Sequence, residues 1–123
     1  MESSTKISTI VKDDIWCIRI IGELTRNEEE TFFHTFPWLH PYDGNRCILF
    51  DMSQVHYLNS AGIALLIRFV REAKQRNYSC YAHSISSHYQ KIFRIVGLMS
   101  YMELFPDEFT ALETLHARRT FEK

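Results

Sequence analysis

Apolar and polar residues alternate along residues 6–12, the period-two pattern of a strand with one wet face. Residues 15–21 form a second strand, with Ile15, Cys17 and Ile21 among its apolar positions, and Asp13-Asp14 between the two reads as a turn. Gly22-Glu23-Leu24 closes the second strand. Thr25-Arg26-Asn27-Glu28 then has the spacing of a capping box, in which Thr25 and Glu28 satisfy each other's backbone donors. The helix it opens is predicted to run to about Phe36, with Phe32, Phe33 and Phe36 on its apolar side, because Pro37 cannot continue it.

Pro41-Tyr42-Asp43-Gly44-Asn45 is a loop by its turn residues. Cys47-Ile48-Leu49-Phe50 is an unbroken apolar run, as expected of a central strand covered on both faces, with Asp51 at its end. Ile63, Leu66, Ile67 and Val70 recur at helical spacing and predict a helix over about 60–76, stopped by Asn77. Residues 78–83 are the next strand. Ser87-His88-Tyr89-Gln90 reads as a second capping box, opening a helix with a Tyr89, Ile92, Phe93 and Val96 stripe that Gly97 stops. Residues 102–105 suit a short edge strand, and Pro106-Asp107 starts a last helix through Ala111, Leu112 and Leu115.

Strands alternating with helices after an initial hairpin imply mostly parallel pairing with helical crossovers. The expected fold class is α/β, a mixed sheet of four or five strands packed against about four helices. Residues 1–123 read as one domain, with an ordered core over about 6–117 and frayed ends. At 123 residues, 46% of them hydrophobic, the chain can bury a core without staples.

Charge and composition then narrow the function. A net charge of -1 argues against nucleic-acid binding, which calls for a basic surplus. No apolar run is long enough to span a membrane, and the first five residues lack the apolar segment of a secretion signal. Cys17, Cys47 and Cys80 are scattered and odd in number, and predict three buried free thiols in a reducing cytoplasm. They are not paired as metal ligands, and His34, His40, His56, His83, His88 and His116 are not spaced as ligands either. The expectation is therefore no metal, no cofactor, and histidines confined to surfaces and loops.

The most informative stretch is Tyr57-Leu58-Asn59-Ser60-Ala61-Gly62-Ile63. A hydroxyl stands where a helix begins, beside backbone N–H groups that have no partner within the helix. Ser60 or Asn59 can simply cap that helix. Ser60 can also be a phosphate acceptor at the positive end of the helix dipole. Ala61 and Gly62 are small enough to let another protein approach the hydroxyl, and Gly62 is a poor helix residue by about 1 kcal/mol. A catalytic serine is not supported: the surroundings are not Gly-x-Ser-x-Gly, and no general base is identifiable. Asp51 could accept a phosphate as in receiver domains. Those need an acidic pair after the first strand and a lysine after a late one, and neither is in place, so a local role in binding turn N–H groups is preferred.

Taken in order, Gly22-Glu23-Leu24, Phe50-Asp51-Met52-Ser53, Asn59-Ser60-Ala61-Gly62-Ile63-Ala64, Ile92-Phe93-Arg94-Ile95-Val96-Gly97-Leu98 and Phe105 resemble the STAS family, specifically its stand-alone anti-sigma factor antagonists. The resemblance implies a regulatory binding module and not an enzyme. Its unmodified form would bind a partner that is both anti-sigma factor and serine kinase, phosphorylation at Ser60 would block that binding, and a metal-dependent serine phosphatase would reset it. The implied contact set is Asp51, Tyr57, Leu58, Asn59, Ser60, Ala61, Gly62 and Ile63, on a monomer or weak dimer in the cytoplasm. Asn59 stands where the family usually has aspartate, and Ala61 where it often has a second hydroxyl, which leaves Ser60 as the single acceptor. The alternatives are a constitutive scaffold or sensor in which Ser60 is only a cap, and a receiver-like acceptor at Asp51.

Overall fold

The computed structural model describes residues 4–121. Strands β1 (Lys6–Lys12) and β2 (Ile15–Leu24) form an antiparallel hairpin. Its turn is Asp13-Asp14, at φ 50 and 65. Two successive left-handed residues match the twist of a two-residue hairpin, and aspartate tolerates them by bonding locally. Strands β3 (Cys47–Leu58), β4 (Ser79–His83) and β5 (Met102–Phe105) pair in parallel beyond β2, so the sheet runs in the order β1-β2-β3-β4-β5. Helix α2 (Ser60–Gln75) links β3 to β4, and α3 (Ser87–Ile95) links β4 to β5. Right-handed crossovers that step steadily one way along a sheet put their helices on one face. Helix α1 (Glu29–Phe33) shares that face, and α4 (Glu108–Phe121) packs on the other.

The first face holds the main core. Phe69 of α2 lies 4.7 Å from Phe32, 4.1 Å from Phe36 and 5.3 Å from Phe50 between ring centres. The second core is small: Ile15, Cys17, Leu49 and Phe105 of the sheet meet Ala111 and Leu115 of α4.

The five-stranded mixed sheet and four α-helices match the expected class, and several boundaries move for identifiable reasons. The capping box at Thr25 forms: Glu28 Oε1 accepts from the Thr25 N–H at 2.7 Å, and Thr25 Oγ1 accepts from the Asn27 N–H at 3.2 Å. It opens a short 3-10 turn before α1, and α1 ends at Phe33, short of Phe36. There the Thr35 hydroxyl donates to the Phe32 carbonyl at 2.6 Å, and the Trp16 indole N–H donates to the Thr35 carbonyl at 2.8 Å. A local bond thus takes the Phe32 carbonyl and a tertiary one the Thr35 carbonyl before Pro37 is reached. The cap of α3 is Ser86, whose hydroxyl accepts from the Tyr89 N–H, one residue before the predicted box at Ser87. Val96 falls outside that helix and is exposed.

Asn77 takes the predicted left-handed conformation, at φ 65. Thr5 bonds the backbone of Glu23, and α4 carries on through Arg118, which pairs with Glu103 through two 2.9 Å bonds. Residues 1–3 and 122–123 of the predicted frayed ends lie outside the described residues. Cys17 and Cys80 are buried free thiols as predicted, but Cys47 is only half-buried. No helix among the described residues is long and apolar enough to cross a membrane.

Candidate protein-docking site at the start of α2

Strand β3 does not end at Asp51; it continues to Leu58. Register shifts against β2 fall between Arg19 and Ile21 and between Gly22 and Glu23, so β3 carries extra residues there. Such bulges bend a strand and re-aim the residues beyond them. The Leu58 N–H donates to the Tyr89 hydroxyl of α3 at 2.9 Å, which anchors the end of the strand.

The turn into α2 settles which residue is the cap. Asn59 is extended, and its Oδ1 accepts from the Gly62 N–H at 2.8 Å. Its carbonyl accepts from the Ile63 N–H at 2.9 Å. Ser60 is therefore the first helical residue and not the cap. It is exposed, and its hydroxyl makes no hydrogen bond among the described residues. A serine at this position adds little to helix stability, because the donor that a cap would satisfy is already taken by Asn59.

The other predicted contact residues divide by depth. Tyr57 is 48% exposed, and Asn59, Ala61 and Ile63 are half-buried around Ser60. Leu58 and Gly62 are buried and hold the turn from beneath. Gly62 is required by its own fold. A Cβ there would collide with the Leu24 carbonyl oxygen, and the Leu24 carbonyl carbon would lie 2.7 Å away. The start of α2 rests on the end of β2, and that contact explains the glycine better than access for a partner.

Asp51 lies elsewhere. Seven residues of strand, at about 3.3 Å each, put Leu58 on the order of 20 Å further along β3. Asp51 Oδ1 accepts from the Ser53 N–H at 2.9 Å and from the Ser53 hydroxyl at 2.6 Å, a local role of the predicted kind within the strand. Pairing places Arg19, Asp51 and His83 in one row across β2, β3 and β4. His83 corrects the expectation of surface histidines: it is 3% exposed. Burial pushes its imidazole pKa down, and the neighbouring Asp51, Glu108 and Asp107 only partly offset this. For Asp51, burial pushes the carboxyl up, but the Ser53 bonds, His83 and Arg19 outweigh it and hold it below the usual range. Glu108, from the first turn of α4, closes the group, with ligand-type atoms of Asp51, His83 and Glu108 all within 4.8 Å of one another. No spacing rule pointed to this trio, because its members come from three elements.

The model of the STAS domain family matches residues 6–111 of the chain. The anti-sigma-B factor antagonist of Staphylococcus aureus strain NCTC 8325 is 25% identical over 104 residues, 80% of this chain and 90% of its own. Among solved structures, an anti-sigma factor antagonist from Mycobacterium paratuberculosis superposes with a TM-score of 0.73 at 15% identity, covering 92% of this chain and 95% of that one. The Bacillus cell fate determinant SpoIIAA in its phosphorylated form superposes with a TM-score of 0.67 at 19% identity, covering 91% and 99%.

Proposed function

Because the chain belongs to the STAS domain family, we propose that it is the regulatory binding module of a partner-switching system, controlled at Ser60. Unmodified, it docks an anti-sigma factor that is also a serine kinase, and so frees that factor's target. Phosphorylated on Ser60 Oγ, it no longer docks, and a metal-dependent serine phosphatase restores it. The observation that carries this reading is the division of labour in the turn. Asn59 caps the helix, and the neighbouring hydroxyl is left exposed and unbonded. A relative named as an anti-sigma-B factor antagonist supports the partner class, and a structural neighbour described in a phosphorylated form supports the modification.

The physics of the switch is local. A phosphate adds about −1.5 to −2 charge at neutral pH. Beside the N-terminus of α2 it is favourable within its own chain by about 0.3–1 kcal/mol. Pressed into an interface, it must be desolvated among Tyr57, Ala61 and Ile63. A penalty of about 3 kcal/mol weakens docking more than a hundredfold, with no refolding of the domain.

The test uses wild type, Ser60→Ala and Ser60→Asp as bait in lysate of the source organism. The kinase is identified by mass spectrometry and its affinity for each form is measured. Wild type and Ser60→Ala bind it alike, only wild type gains phosphate, and Ser60→Asp binds at least a hundredfold more weakly. Equal affinity of all three forms overturns the proposal. It would favour the constitutive scaffold, for which the uncharged Asn59 is the supporting observation.

A further inference from the structure

The row that ends at His83 carries a polar group which the Ser60 switch does not use. His83 Nδ1 lies 2.8 Å from Ser84 Oγ. Its Nε2 is fully buried and has no hydrogen-bond partner among the described residues. The nearest oxygen on a carboxylate is Asp51 Oδ1 at 3.9 Å, too far for a hydrogen bond. A buried nitrogen left in this state is destabilising. In the tautomer whose Nδ1–H donates to Ser84, Nε2 presents a lone pair to Asp51 and Glu108. Three electron-pair donors gathered this closely, one of them buried and unpaired, make a site for a cation.

We propose that Asp51, His83 and Glu108 bind a divalent transition-metal ion, with Zn2+ the best chemical match. One imidazole and two carboxylates suit zinc, whereas calcium and magnesium prefer all-oxygen sites. Ligands on a tetrahedral zinc at about 2.0 Å stand roughly 3.3 Å apart. The trio, within 4.8 Å, needs only side-chain closure to reach that spacing. Ser84 supplies the outer bond that fixes a ligating histidine's ring and tautomer. Three protein ligands on a group whose carboxylates keep some exposure leave the fourth position to water.

Two cations compete for the same carboxylates. Lys12 Nζ lies 2.9 Å from Glu108 Oε2, and Arg19 Nε 3.5 Å from Asp51 Oδ2. Arg19 can stay on Asp51 Oδ2, while a metal takes Oδ1 at the expense of one of its two bonds from Ser53. Lys12 holds Glu108 through Oε2 and offsets its charge, which opposes closure on a second cation, and its side chain, 39% exposed, is free to swing away. Lys12 therefore sets the affinity of the site by competing for Glu108.

The experiment titrates the full chain, stripped with a chelator, with Co2+ and then Zn2+, read by calorimetry and by visible absorption. One equivalent binds to wild type. Glu108→Gln weakens binding at least tenfold, and Lys12→Met strengthens it severalfold; both positions are partly exposed, so these variants keep the fold. His83→Gln also weakens it at least tenfold, and the His83 ring resonances shift when Zn2+ is added to wild type. Four results overturn the proposal: no binding at millimolar metal, no effect of Glu108→Gln, no gain from Lys12→Met, or the intense ultraviolet absorption of thiolate ligation.

Discussion

The two faces of the sheet are built on different principles. The face under α1, α2 and α3 is a continuous apolar layer in which Phe32, Phe50, Phe69 and Phe93 are completely buried. The face under α4 is mixed: Ile15, Cys17, Leu49 and Phe105 meet Ala111 and Leu115. The same face carries Lys12 beside Ile15, and the row of Arg19, Asp51 and His83. One helix cannot cover a five-stranded sheet, so part of this face stays accessible to polar groups. Three helices on the other side cover a larger apolar core. The lesson is that stability and chemistry are segregated. One face holds the domain together, the other gathers charge, and the Ser60 turn at the tip of β3 belongs to neither.

Substitutions can sharpen or break that contrast. The largest effect is expected from Phe69→Ala, which empties the centre of the aromatic cluster and should cost about 4 kcal/mol in urea unfolding. Leu115→Ala removes a side chain that is also buried, at 2% exposure, but under a thinner layer that can collapse around the gap. About 2 kcal/mol is expected there. Equal losses at the two sites would mean that α4 covers its face as fully as the other three helices cover theirs.

The smallest effect concerns the pair that ties α4 to β5. Two bonds from Arg118 hold the Glu103 carboxyl below its ordinary pKa, against a smaller opposing effect of burial. A carboxylate depressed in the folded state adds stability above its unfolded pKa and loses it as the pH falls through the folded one. Both partners are close to half exposed, so the contribution at pH 7 is under about 1 kcal/mol. The gap between wild type and Glu103→Gln should therefore be small at neutral pH and shrink away as acid protonates Glu103 in the folded state. A gap that persists in acid would assign the effect to packing and not to charge.

Local order was written plainly in the chain. The Asp13-Asp14 turn, the Thr25-Glu28 box and the Asn77 stop each depend on residues a few positions apart, and each forms; of the predicted α2 stripe, Leu66 and Val70 are buried and Ile63 and Ile67 half-buried, beside Leu65, Phe69 and Ala73. Fold class came from their alternation, because a hairpin and then repeated strand–helix units leave few topologies open. The sequence also located the turn before α2, but could not choose between Asn59 and Ser60 as its cap.

The folded turn shows that choice: Asn59 takes the Gly62 N–H, and the Ser60 hydroxyl is left without a bond among the described residues. Tertiary packing supplied what no local pattern encodes. The Leu24 carbonyl demands a glycine at residue 62, Trp16 holds the Thr35 carbonyl just past the end of α1, and strand register lines up Asp51 with His83 while α4 brings Glu108 to them. The physical reason is range. Capping and periodicity act within a turn or two of one segment, whereas a side chain's burial, its free lone pair and its distant partner depend on which segments fold against each other.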